Sequence, residues 1–193
     1  MIKATRVELG GRSLELPMSK SNQGHFLPIL AKIDDQVSAM LSHHCKVMVY
    51  RLDFRLYDYT SSNKVMSTFL KRYTQTLQRT SSINRVAYLW CREQHKADHQ
   101  HYHAAFIVDG NKHQRPGLLI NQARRYWDDR DIGTLSIPKQ CYKILRRGDN
   151  EAYQQVFERL SYIAKVFSKG TRGNTINDYS TSRIKPKEVK LIA

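Results

Sequence analysis

Arg85-Val86-Ala87-Tyr88-Leu89-Trp90-Cys91-Arg92-Glu93 and His101-Tyr102-His103-Ala104-Ala105-Phe106-Ile107-Val108 are separated only by a polar connection, Gln94 to about Gln100. Both runs are rich in strand formers, and Asp109-Gly110-Asn111 is a turn signal behind the second. Upstream, Val65, Met66, Phe69, Leu70, Tyr73 and Leu77 recur at helical spacing behind the cap-like Ser61, Ser62 and Asn63. Cys45 to Phe54 reads as an earlier strand, and Phe26 to about Ser42 as a helix. Downstream, the spacing predicts a helix near Leu118–Asp129 and a weaker strand from about Gln140 to Leu145. Asp149 or Asn150 can cap a last helix reaching about Lys169.

The order is helix, then β-α-β-β-α-β, then helix. It predicts an α+β chain with a ferredoxin-like (RRM-like) antiparallel sheet. Helices pack on that sheet, with an extra N-terminal helix and a Tyr-bearing C-terminal helix. Residues 1–25 read as an N-terminal arm, 26–169 as the domain, and 170–193 as a basic, mobile tail. With 40% apolar residues the chain can bury a core, and no run of 18 apolar residues suits a membrane span. No secretory signal is read at the N-terminus. Cys45, Cys91 and Cys141 are too few and too far apart for a disulfide framework, so a reducing, cytosolic setting is expected.

The formal charge of +15 points to a polyanionic partner. A merely soluble basic protein is the plainer alternative. Lys and Arg concentrate between Arg115 and Arg147, interleaved with Tyr126, Trp127 and Tyr142. Arg124, Arg125, Lys143, Arg146 and Arg147 are the candidates for gripping phosphates, with the aromatic rings as stacking surfaces for unpaired bases.

On a strand, alternate side chains share a face, so His101 and His103 lie about 6.6 Å apart at ~3.3 Å per residue and can converge on one divalent ion. Tyr102, Ala104, Phe106 and Val108 then face a core. If the two strands form an antiparallel hairpin, Glu93 lies near His101 and completes a carboxylate–imidazole set. Surface histidines are the competing reading. His95 and His99 compete as ligands, while His25, His43 and His44 read as helix-end or surface residues.

In the last helix Tyr153, Val156, Phe157, Leu160, Ile163, Ala164 and Phe167 form one stripe. Tyr162 falls about 200° from Leu160, away from that stripe, with Lys165 and Lys169 on its own face. A phenol beside two ammonium groups can serve as a nucleophile or contact a phosphate. A solvated basic face carrying an amphipathic Tyr is the alternative, and Tyr142 and Tyr179 are other candidate nucleophiles.

Glu93, the His101-Tyr102-His103 strand, and Tyr162 with Lys165 and Lys169 together resemble HUH-type single-strand endonucleases. The context from Arg92-Glu93 through Gly110 is similar to YagK/YfjJ-like prophage proteins, a group that includes inovirus gene II-type replication initiators. The resemblance spans roughly residues 40–170. It implies a bacterial host cell and rolling-circle initiation on single-stranded DNA. By the same resemblance His101, His103 and Glu93 hold Mg²⁺ or Mn²⁺, Tyr162 becomes joined to a 5′-phosphate, and Lys165 or Lys169 offsets developing charge. No phosphate-binding loop of the G-x-x-x-x-G-K-[ST] type is present, so a separate helicase, and a polymerase, are expected as partners. A non-catalytic module binding single-stranded nucleic acid, and a nuclease that activates water, are the competing functions.

Overall fold

The computed structural model describes residues 2–17, 24–93, 100–165 and 178–188. Its centre is β3 (Lys46–Leu56), an 11-residue strand. Antiparallel β5 (His101–Asp109) pairs with it from Val47↔Asp109 to Arg55↔His101. β4 (Ala87–Glu93) follows on the outside of β5, in a register that places Glu93 opposite His101. β6 (Gly133–Ser136) pairs with the second half of β3, so the order β6-β3-β5-β4 is that of a ferredoxin-like β-α-β-β-α-β sheet.

Strand alternation splits the side chains into two cores. Met48, Tyr50, Leu52 and Phe54 of β3 face one layer, with Trp90, Tyr102 and Phe106. That layer is covered by α2 (Lys64–Thr80) and α3 (Gly117–Asp128). Val47, Val49, Leu89, Cys91, Ala105 and Ile107 face the other way, under α1 (Leu27–His43) and α4 (Asn150–Ser161). Asp149 caps α4, its carboxylate accepting the backbone N–H of Ala152.

Phe69 stands at the middle of the first core, its ring centroid 4.9 Å from Phe54, 5.2 Å from Tyr73 and 5.5 Å from Trp127. Phe69→Ala is expected to destabilise the fold by about 3–5 kcal/mol, because the cavity adds to the lost burial. Urea unfolding followed by circular dichroism measures it.

Four expectations are corrected. Residues 1–25 are more than an arm: β1 (Arg6–Leu9) and β2 (Arg12–Glu15) form a hairpin whose Val7 and Leu14 join the second core. The strand expected over 140–145 is present as β7 (Tyr142–Arg146), pairing with the first half of β3, but the fourth place in the ferredoxin-like order belongs to β6, which pairs with the second half. Gly133 permits the close approach of β6, since a Cβ there would meet the Arg55 carbonyl oxygen at 1.9 Å. The tail read as mobile contributes β8 (Tyr179–Thr181), an edge strand on β4. The last helix stops at Ser161 instead of reaching Lys169. A 3₁₀ turn follows over Tyr162–Ala164, and Lys165 is extended. No helix among the described residues is long and apolar enough to cross a membrane.

Candidate metal centre and nucleophile

The second face of the sheet changes character along its length. On β3 it runs Val47, Val49, Arg51, Asp53; on β5 it runs Ile107, Ala105, His103, His101; on β4 it runs Ala87, Leu89, Cys91, Glu93. The apolar ends pack under α1 and α4. The polar ends meet beside the residues that follow α4, where Tyr162 contacts His103.

Glu93 and His103 are both 7% exposed, and one ligand atom from each of Glu93, His101 and His103 lies within 4.8 Å of the others. A Glu93 Oε2 oxygen is 3.2 Å from His103 Nε2 and 3.5 Å from His101 Nε2. Two imidazoles and a carboxylate suit a divalent ion. His101 turns Nε2 to Glu93, and its other ring nitrogen, Nδ1, is buried without a hydrogen-bond partner. The predicted ligand set is therefore brought together as a possible metal site, and the donors do not select the metal. His95 and His99 lie outside the described residues.

Sequence reasoning missed Asp53 and Arg51. Asp53 Oδ1 lies 2.8 Å from His103 Nδ1. Arg51 Nη2 lies 3.0 Å from the same nitrogen, but a guanidinium only donates, so the Nδ1 proton is directed at Asp53. That leaves Nε2 turned toward Glu93, the arrangement in which a carboxylate orients a ligating imidazole. Arg51 in turn donates to both Asp53 oxygens, at 2.9 and 3.1 Å.

Burial by itself pushes His103 down, but its bonds to Asp53 and Glu93 outweigh that and hold its pKa above the ordinary value. Burial likewise pushes Asp53 up, and the bonds from His103 and Arg51 reverse the sign, leaving it below the usual carboxylate value. Asp53→Ala is expected to weaken Mn²⁺ binding by about 10–100-fold, the usual loss when a ligand's supporting carboxylate is removed. Isothermal titration of the purified variant reads this directly.

Tyr162 is 40% exposed between the buried Ser161 and Ile163. The Phe26 N–H donates to the Ala164 carbonyl at 2.8 Å, and His25 bridges Lys165 through the backbone. His25, expected at the surface, is buried there. These contacts hold the Tyr162 ring 5.4 Å from that of His103. The Arg51 guanidinium stands 4.4 Å from the phenol ring centroid and Lys165 Nζ 4.5 Å from it. So Tyr162 and Lys165 do meet, although not along one helix face, and Lys169 lies outside the described residues.

Of the predicted phosphate-binding residues, Lys143 lines a cleft of about 710 Å³ together with Arg51, Tyr162 and Lys165. Arg124 and Arg125 are exposed on α3, in the layer on the opposite face of the sheet, so they do not join this site. Arg147 donates to the Leu41 and Ser42 carbonyls at the end of α1, and Arg146 is exposed on β7.

Residues 12–178 match the YagK/YfjJ C-terminal domain. The chain belongs to that family. No curated protein matches the chain. Among solved structures, it is similar to a mutant of SnoaB, a cofactor-independent oxygenase from Streptomyces nogalater, at 14% identity over 54% of this chain and 95% of that chain, with a TM-score of 0.30. At that score the likeness carries no argument about the family's chemistry.

Proposed function

We propose that this YagK/YfjJ domain is an HUH-type endonuclease that nicks and rejoins single-stranded DNA with Tyr162 as nucleophile. One observation carries the reading: an exposed tyrosine, flanked by two cations, abuts the Glu93–His101–His103 group. The charge of +15 supports a nucleic-acid substrate.

The Tyr162 phenolic oxygen attacks the scissile phosphorus. A Tyr–O–P bond forms as the P–O3′ bond breaks, the phenolic proton passes to solvent, and the departing 3′ oxygen takes up a proton. His101, His103 and Glu93 would hold a Mg²⁺ or Mn²⁺ ion, whose chemistry there would be to polarise the phosphate. Arg51 and Lys165 offset the negative charge that develops beside the phenol. Asp53 keeps the His103 Nε2 lone pair turned inward. The phosphotyrosine conserves the energy of the broken bond, so a 3′-OH can reverse the step and rejoin the strand. Such a reaction suits rolling-circle initiation on a phage or mobile element, with unwinding and synthesis supplied by a separate helicase and polymerase.

Incubation with Mn²⁺ and a labelled pool of single-stranded oligonucleotides of randomised sequence is expected to yield a protein–DNA adduct stable to denaturant. Cut ends without any adduct would instead assign a water-activating nuclease. Salt-sensitive binding with neither product would assign a binding module.

A further inference from the structure

Tyr162 separates two regions of the second sheet face. On one side lies the Glu93–His101–His103 group, on β4 and β5; on the other lies the cleft over β7 and α4. Arg51, Lys143, Arg159 and Lys165 line the cleft, with Tyr142 and Tyr162 among them, and Glu158 is its one acidic residue. Tyr142 is 40% exposed, so its ring is available for stacking. Arg159 lines the cleft, its guanidinium anchored by donation from Nη2 to the Lys139 carbonyl oxygen, so its positive charge is fixed at the cleft wall. Four cations against one anion, with two phenol rings, match a single-stranded polyanion whose bases are free to stack.

The direction of that strand follows from displacement chemistry, and this step rests on the nicking reading above. Attack at phosphorus is in line, so the leaving 3′ oxygen departs from the side of the phosphorus opposite Tyr162. The upstream segment begins at that oxygen and therefore leads away from Tyr162, toward β4 and away from the cleft. We infer that the cleft holds the downstream nucleotides, those whose 5′-phosphate becomes joined to Tyr162. The nicked strand is thereby kept on the protein by charge and stacking as well as by the covalent bond.

Binding of two uncut probes tests this, dT10 phosphorylated at its 5′ end and dT10 phosphorylated at its 3′ end, each followed by fluorescence anisotropy across a salt series with Mn²⁺ present. The wild-type protein is expected to bind the 5′-phosphorylated probe more tightly. Lys143→Ala/Arg159→Ala should weaken that probe at least about 10-fold and flatten its log–log salt slope by roughly 1.4, two cations at ~0.7 each for single strands. The 3′-phosphorylated probe should lose much less. Lys143→Ala alone, on an edge strand, should give about half the change in slope, and retained Mn²⁺ binding shows that each variant is folded. Equal losses for both probes, or no loss for either, would overturn the assignment. Because neither probe is cut, these outcomes are separate from failure of the adduct assay, which bears on the nuclease reading alone.

Discussion

Tyr162→Phe is expected to abolish joining of the protein to DNA, lowering single-turnover nicking by at least about 10⁴-fold, the scale on which an enzyme loses rate without its nucleophile. The substitution removes one oxygen. The ring stays beside His103, under Arg51 and Lys165, and no ligand atom of the Glu93–His101–His103 group is touched. Mn²⁺ affinity and the unfolding midpoint are therefore expected to match those of the wild-type protein. Nicking that persists at the wild-type rate would exclude Tyr162 as the attacking group.

His103→Ala should remove measurable Mn²⁺ binding and, with it, nicking. His103 touches Glu93 through one ring nitrogen and Asp53 through the other, so its loss deletes a ligand and leaves two buried or half-buried carboxylates facing each other. The wild-type site should also depend on pH in a definite direction. A metal ligand must be neutral imidazole, and His103 holds its proton above the ordinary value of 6.5. Mn²⁺ affinity should therefore rise with pH until His103 has lost its proton, by about tenfold per pH unit on the acid side, with one proton released per ion. In the metal-free protein the sign is reversed. The raised pKa of His103 adds stability that is fully present below its unfolded pKa and is lost as pH rises through its folded pKa. Calorimetric titration in buffers of different ionisation enthalpy counts the proton. Binding that does not change with pH would contradict the assignment of His103.

The main elements were legible because periodicity and strand alternation reflect burial. α1, α2 and α3, and strands β3, β4 and β5, lie close to where apolar spacing puts them. The pairing of Glu93 with His101 followed from a hairpin register. Asp53 and Arg51 were legible in principle: β3 changes from Val47 and Val49 to Arg51 and Asp53 beside the change from Ala105 to His103 on β5, with Arg51 opposite Ala105 and Asp53 opposite His103. Comparing the strands for that shared change would have found them. Gly10 and Gly11, at φ 53° and 74° between alternating apolar residues, likewise carried a hairpin signal for β1 and β2. Two features were not legible. β6 is four residues long and is held by a close backbone approach at Gly133. The end of α4 at Ser161 is fixed by contacts from Phe26 and His25, far away in sequence, while the apolar spacing runs on past it.

Peptide mapping by mass spectrometry of the adduct formed with randomised single-stranded DNA and Mn²⁺ tests the central claim most directly. The account predicts a nucleotide attached through its 5′-phosphate to the peptide carrying Tyr162, and no adduct when Mn²⁺ is chelated. A nucleotide attached to Tyr142 or Tyr179 instead, or cleavage with no attached nucleotide, would contradict it.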